Sequence, residues 1–216
     1  MKSAVVRIAL QASSEQLLRI EALQRMFASA CNALAPMVQQ TRCWNRVALH
    51  HMAYKQLRER FPELGSQMVC NVIYSVSRTS RAVYQGAGSP FNIAKLGARP
   101  LPQIQFVAHA PVYFDRHTLS LKDGVVSLFT LDGRMRFQLN LRAADEKRFR
   151  EDKLREIVLS GSGQRYTLSF EFGRDDDAPA ASDAATEWPQ YALVADGAPP
   201  LTLPLPAARI KEARPR

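Results

Sequence analysis

The sequence predicts an α+β protein in which a small antiparallel β-barrel is interrupted after its first strand by a helical domain of about three helices. The N-terminus alternates apolar and polar residues, three long stretches then repeat apolar residues at helical spacing, and short alternating stretches separated by turn residues follow. The predicted parts are the first strand (1–12), the helical domain (13–88), the remaining barrel strands (89–172), and a linker rich in Ala, Asp and Pro with a basic tail (173–216).

The N-terminal segment predicts a strand followed by a long helix. Residues 2–11 alternate well enough for a strand, which would close the edge of the barrel by pairing with later strands. Ser13 or Ser14 then offers an N-cap, and helical spacing continues to about Gln40. Pro36 lies in the last turns, where it is expected to bend or end the helix.

Two further helices are predicted between residue 45 and residue 85. The second runs from about residue 45 to 60 and stops at Pro62 and Gly65, and the third starts with Ser66 as its N-cap. The predicted apolar faces consist of Val47, Ala48, Met52 and Leu57 in the second helix and Val69, Val72, Ile73, Val76, Ser80 and Val83 in the third.

After a Gly- and Pro-containing break at 86–90, the apolar period changes from that of a helix to that of a strand. Asp-Gly at 123–124 and 132–133 and Gly-Ser-Gly at 161–163 indicate hairpins, and a charged helix or loop is predicted at 142–153. Strands are predicted near 103–107, 111–114, 117–121, 125–130, 134–140, 154–160 and 164–172.

The charge is concentrated in the first half of the chain. The formal net charge is +9; residues 1–122 contain 15 Lys or Arg against 5 Asp or Glu, whereas residues 123–216 contain 14 against 15. Arginines outnumber lysines 22 to 7, and the planar guanidinium suits phosphates and base edges. This asymmetry favours a nucleic-acid partner over an anionic membrane, an acidic protein or a merely solvated basic surface.

The sequence offers no recognisable catalytic or metal-binding motif. Phosphate-binding, dinucleotide-binding and nucleophile-elbow patterns are missing, and none of the three cysteines belongs to a C-x-x-C pair. The Asp run at 175–177 lies in the Pro- and Ala-rich stretch, where a solvated linker is the expected role. No apolar stretch approaches the roughly 18 residues of a membrane span, and the N-terminus lacks a signal-peptide block. We therefore expect a cytoplasmic protein without catalytic residues, metal or cofactor.

Several segments resemble a known family in the correct order. The run Y-K-Q-L-R-E-R-F-P-E-L-G-S-Q-M at 54–68, continuing to Arg78, resembles the N-terminal half of the transposon-associated TnpB (OrfB) family of RNA-guided nucleases, relatives of the type V CRISPR effectors. The resemblance covers about residues 1–172. Its other segments are P-F at 90–91, I-Q-F at 104–106, V-Y-F-D at 112–115, T-L-S-L at 118–121, V-S-L at 126–128 and D-G-R at 132–134.

The resemblance implies a wedge domain, which is an oligonucleotide-binding-like barrel, interrupted by a helical recognition domain. It also implies a guide or structured RNA and a double-stranded DNA target as partners. The RuvC-like nuclease of the family opens with a G-I-D-x-G strand, and neither this strand nor zinc-binding Cys pairs follow residue 172. We therefore expect a nuclease-deficient, prokaryotic and nucleoid-associated binding protein, which serves a separate RuvC-type nuclease subunit or blocks a DNA site.

Eight residues are candidate nucleic-acid contacts. Tyr54 and Arg58 are one helical turn apart and would present an aromatic ring and a guanidinium. Gln67 and Asn71 are also one turn apart, and their amides would read base edges. For Tyr54 a half-buried core position and for Gln67 a capping role stay open. The remaining four are expected to contact phosphates. The candidates are Tyr54, Arg58, Gln67, Asn71, Arg78, Arg81, Lys95 and Arg99.

Two other functional classes remain open. The chain would serve as a protein-interaction subunit if its basic face met an acidic protein, and such a complex would survive nuclease treatment and high salt. It would be a decayed transposon product if it folded poorly or aggregated.

Overall fold

The computed structural model describes residues 4–173, 189 and 191–195. The protein is α+β, with helices and antiparallel sheets, as the spacing of apolar residues predicts. The long helices also begin and end close to the predicted positions. The helices are α1 (Ser14–Thr41), α2 (Arg46–Arg60), α3 (Gly65–Gln85), α4 (Ile93–Leu96) and α5 (Ala143–Glu151), with a 3-10 turn at Pro62–Leu64.

A capping box starts helix α1. The Ser13 hydroxyl accepts from the Gln16 N–H, and the Gln16 side chain accepts from the Ser13 N–H. The prediction that Pro36 bends or ends the helix is wrong about its end, because the helix continues to Thr41. Pro36 is buried, as is Val38 beyond it, so core packing holds the helix together although the proline supplies no N–H.

Two details of α2 and α3 differ from the predictions. In α2, Val47 is 65% exposed, and the buried face consists of Leu49, Ala53 and Leu57, which recur every four residues. In α3, Ser66 does not cap the helix, because α3 starts at Gly65 directly after the 3-10 turn and its N-terminus has no side-chain cap. The six predicted apolar positions of α3 are all buried.

Among the described residues, nine strands form three antiparallel sheets. The strand order is β1-β8-β7-β3 in the first sheet, β4-β5-β6 in the second and β2-β9 in the third. The strands are β1 (Ala4–Ala9), β2 (Gln103–Phe106), β3 (Val112–Phe114), β4 (Leu119–Lys122), β5 (Val125–Thr130), β6 (Gly133–Gln138), β7 (Lys153–Ser162), β8 (Arg165–Gly173) and β9 (Ala192–Ala195).

The N-terminal strand pairs with a late strand, as the barrel hypothesis requires. Val6 of β1 lies opposite Phe170 of β8, so the first sheet brings together segments on either side of the three long helices. No closed barrel forms in the part of the chain that the structure describes, because the β4-β5-β6 sheet is not hydrogen-bonded to the first sheet. The chain leaves the first sheet after β3 and returns to it through α5.

The hairpin signals correspond to tight turns. Asp123 and Gly124 have φ angles of 51° and 73° between β4 and β5, as an Asp-Gly type I′ turn requires. Gly161 near the β7–β8 turn has a φ of 132°, and a Cβ there would lie 2.0 Å from the Arg165 carbonyl oxygen. Only glycine fits at position 161.

The predicted linker contains a strand. Ala192–Ala195 forms β9, which pairs with β2, so the linker prediction is wrong for these four residues. A four-residue apolar segment is too short to show a period, and its partner β2 is distant in sequence. The other residues of the predicted linker and basic tail lie outside the described residues, except for residues 173, 189 and 191.

A buried polar network fixes α1 to the first sheet. Gln24 is 2% exposed, and its Nε2 donates to the carbonyl oxygens of His109 and Gly161 at 3.3 and 3.2 Å. Its Oε1 accepts from the Tyr166 hydroxyl at 3.0 Å. A cluster of buried side chains extends across the helices and all three sheets, and the Gln24 amide and the Tyr166 hydroxyl enclosed in it satisfy each other.

Candidate nucleic-acid interface

A line of basic and aromatic residues follows one side of α2. Arg46, His50, Tyr54 and Arg58 recur every four residues, so they lie on the same side of the helix, and we call them the α2 stripe. The His50 and Tyr54 rings are stacked, with centroids 4.6 Å apart and planes 21° apart. Arg46 is exposed, whereas the other three are half-buried. The stripe therefore presents a stacked ring pair between two guanidinium groups.

Arg58 carries a buried guanidinium nitrogen without a partner. Its Nη1 has no hydrogen-bond partner among the described residues. No ion pair of Arg58 is found there either. Because a guanidinium is charged at any physiological pH, its uncompensated charge favours an anionic ligand at this position.

The stripe is connected to α3 through a cation–π contact. The Arg46 guanidinium carbon lies 5.2 Å from the centre of the Tyr74 ring. The Arg78 Nη1, one turn further along α3, lies 3.4 Å from the Tyr74 hydroxyl and 3.2 Å from a carboxylate oxygen of Glu156 in β7. Arg78 thus lies near the stripe, but Glu156 neutralises part of its charge.

Tyr74 belongs to a half-buried polar cluster that joins α3 to the first sheet. Its hydroxyl donates to the Glu156 carboxylate at 2.5 Å, and its ring meets that of Tyr113 edge to face at 5.4 Å. Burial, reinforced by the charge of Glu156 and the hydrogen bond to it, raises the pKa of Tyr74 to about 12. The phenol therefore stays a neutral donor, and the cluster has a structural role beside the stripe.

The amides of Gln67 and Asn71 form hydrogen bonds within the protein. The Gln67 amide donates to the Asp115 carboxylate. Asn71 is 5% exposed, and its amide donates to the Thr118 hydroxyl at 3.4 Å. Both residues hold the 115–118 turn against the start of α3. They do not present free amides for reading base edges, and Gln67 does not cap the helix.

Lys95 and Arg99 stabilise the loop around α4. The Lys95 ammonium donates to the carbonyl oxygens of Ala87 and Ser89 at 2.9 and 3.0 Å. The Arg99 guanidinium donates to the carbonyl oxygens of Lys95 and Leu96 at 3.0 and 3.2 Å. The side chains of Lys95 and Arg99, which we expected to contact phosphates, therefore donate to backbone carbonyl oxygens instead.

Arg81 remains available on α3. It is exposed, lies three residues after Arg78 and forms no ion pair within the described ranges. Together, α2 and α3 contain six Lys or Arg residues and a single acidic residue, Glu59. Of the predicted contacts, Tyr54, Arg58 and Arg81 thus carry polar groups that form no hydrogen bond or ion pair with other described residues.

Sequence reasoning did not select two members of the stripe. These two residues are Arg46 and His50. The spacing of four residues from Arg46 to Arg58 was the available signal. The predicted apolar face began at Val47, which is exposed, so the polar side of the helix was placed wrongly. Once Leu49 and Ala53 define the buried side, the stripe follows.

Comparisons with known proteins give no assignment, because no protein-family model and no curated protein matches this chain. Within the described ranges, none of the helices has both the length and the hydropathy to cross a membrane. The same residues include no group of three or more His, Cys, Asp or Glu side chains placed to hold a metal ion.

Proposed function

We propose that this chain binds nucleic acid through the α2 stripe and Arg81. The α2 stripe carries the proposal: two arginines and a stacked His50–Tyr54 pair share one side of a helix, and Arg58 has a buried donor that finds no partner in the described part of the chain. Guanidinium groups bind phosphates with charge-assisted hydrogen bonds, and aromatic rings stack on unpaired bases. The stripe combines both kinds of contact.

The preferred ligand follows from the resemblance to the TnpB family. We propose that the chain holds a guide or structured RNA and contacts a double-stranded DNA target, with the sheets as a wedge domain and the long helices as a recognition domain. The pairing of β1 with β8 across the helical segment supports this arrangement. Cleavage would belong to a separate RuvC-type subunit, and without one the complex would block its DNA site.

The stripe is tested by the double variant Arg46→Ala/Arg58→Ala. We expect its affinity for RNA to fall roughly tenfold or more, because two charge-assisted contacts are lost. The slope of log affinity against log salt concentration should decrease by about 1.4, since each phosphate contact with a single strand contributes about 0.7. Fluorescence anisotropy of a labelled RNA at several salt concentrations measures both quantities.

The matched control is Arg7→Ala/Arg165→Ala, which removes the same charge from two exposed positions on β1 and β8. We expect it to change the affinity by less than about threefold, the scale of a distant exposed charge. Equal losses in both double variants would show that net charge alone attracts the ligand. A complex that resists nuclease and high salt would instead support the protein-interaction alternative.

The RNA partner is tested by sequencing the RNA that copurifies with the chain. A guide or scaffold RNA predicts one dominant species with defined ends, protected by the wild-type chain and lost from Arg46→Ala/Arg58→Ala. A random collection of cellular RNA fragments would contradict a dedicated RNA partner, while leaving non-specific nucleic-acid binding intact.

A further inference from the structure

A cleft of about 580 Å³ opens between the two larger sheets. The chain crosses from the first sheet to the second through the 115–118 turn and returns through α5, and the cleft lies between these two connections. Strand β4 forms one wall, and α5 with β7 and β8 forms the other. The volume is in the range typical of small-ligand sites.

The inner part of the cleft is apolar. Leu119, Ile157 and Phe170 line it and are almost completely buried. Phe149 of α5 also lines it and contacts Phe170 edge to face at 4.9 Å. Leu154 is 37% exposed, although it is a large apolar residue. A planar apolar group in the cleft would cover the partly exposed side chains of Leu121, Leu141, Phe149 and Leu154 and remove them from water.

The rim carries two arginines. Arg116 and Arg150 are both exposed and form no ion pair among the residues that the structure describes. The carboxylates of Asp123 and Glu146 also lie at the rim. The rim therefore offers donors for one phosphate and acceptors for hydroxyl or amino groups, and its balanced charge disfavours a polyphosphate.

Strand β4 supplies free backbone groups on the wall. The Phe129 N–H donates to the Thr118 carbonyl at 2.8 Å, and Leu119 lies opposite Leu128. Because bonded and non-bonded pairs alternate in an antiparallel ladder, the N–H and C=O of Leu121 point away from β5. Among the described residues no strand pairs with that edge.

We propose that this cleft binds one unpaired nucleotide of the bound strand, which deepens the proposed function and rests on it. The base lies on the apolar side chains, its polar edge meets the N–H and C=O of Leu121, and its phosphate meets Arg116 and Arg150. An extended peptide would also use the β4 edge, but it would meet the two rim arginines only if it carried an acidic side chain there, whereas every nucleotide carries a phosphate. The rim charges therefore favour a nucleotide.

The proposal is tested with the four ribonucleoside 5′-monophosphates as probes of the full chain. Saturation-transfer NMR should show magnetisation transfer from the protein to the base protons of at least one of them. A titration with that monophosphate should give a dissociation constant at least about fivefold higher for Arg150→Ala and for Leu154→Asp, the scale of one exposed charge or apolar contact. Both residues are exposed, and circular dichroism checks that each variant folds.

The control variant is Arg7→Ala/Arg165→Ala, which removes two exposed charges that do not line the cleft and should bind the monophosphate as the wild type does. If none of the monophosphates receives magnetisation, or if the cleft variants bind as the wild type does, the cleft proposal is overturned while the α2 stripe still stands. If instead the stripe variant keeps its RNA affinity, the proposed function fails independently of the cleft.

Discussion

Tyr74 shows how a single residue joins a helix to a sheet. Its hydroxyl donates to Glu156 of β7, and Arg78 completes the cluster from the same helix. The amide of Gln24 plays a comparable part for α1, because it satisfies two carbonyl oxygens and one hydroxyl at the same time. Such contacts between distant residues have no periodic signature in the sequence.

The raised pKa of Tyr74 predicts a dependence of stability on alkaline pH. The tyrosine pKa rises from 10.0 to about 12 on folding, so between these values the folded state binds more protons than the unfolded state. The contribution of Tyr74 is complete below about pH 10 and is lost as the pH rises towards 12. We therefore expect the free energy of unfolding to fall across this interval and to fall less steeply in Tyr74→Phe.

Urea denaturation at several pH values from 8 to 12 measures this dependence. Burial also raises the pKa of Tyr113 well above its usual value. Tyr74→Phe therefore removes only part of the decrease in the free energy of unfolding with rising pH. If Tyr74→Phe and the wild type lose stability in parallel above pH 10, then the pKa of Tyr74 is not raised in the folded protein and the phenol is not held in its buried position beside Glu156.

At the scale of elements, hairpins and the long helices were the predictable part of the fold. Asp123-Gly124 has the backbone angles that its turn needs, and the capping box of α1 lies where its sequence indicates. Pro36 and Val47 show the limit, because tertiary packing decides whether a proline is tolerated and which side of α2 is buried. Strand β9 was missed because its partner, not its own sequence, determines it.

The β7–β8 hairpin depends on Gly161. We expect Gly161→Ala to lower the free energy of unfolding by more than about 2 kcal/mol, because a Cβ would meet the Arg165 carbonyl and φ is positive. Gly163→Asn is the matched control, since Gly163 has a φ of 61°, which asparagine tolerates, and open space around its Cα. Urea denaturation compares the two. Equal stabilities would mean that the turn rearranges at little cost.

At the scale of the whole molecule, the charge asymmetry predicted which half of the chain carries the candidate interface, but not which residues form it. Charge identified the basic helices, and the resemblance to the TnpB family pointed to Tyr54 and Arg58. Neither the charge nor the resemblance revealed that Asn71 is buried or that Lys95 donates to backbone carbonyl oxygens. Engagement of a polar group depends on neighbours that are distant in sequence, so charge and spacing alone identify too many contacts.

The β1–β8 pairing makes the fold depend on a strand that the helices separate from the rest of its sheet. Val6 is buried, and Ile8 packs against the core at the register position opposite Leu168. Deletion of residues 1–9 would leave β8 as an unpaired edge next to newly exposed apolar side chains, a combination that favours association between chains. We expect the deleted chain to unfold at a lower temperature and to form oligomers.

Circular dichroism during heating and size-exclusion chromatography measure these two effects. The control is Val5→Lys in the intact chain, because Val5 is 46% exposed and a lysine there keeps the backbone pairing. That variant should remain as stable and as monodisperse as the wild type. If the deleted chain melts at the wild-type temperature, then the helices and the remaining strands hold β8 in place, and the fold does not need the N-terminal strand for its stability.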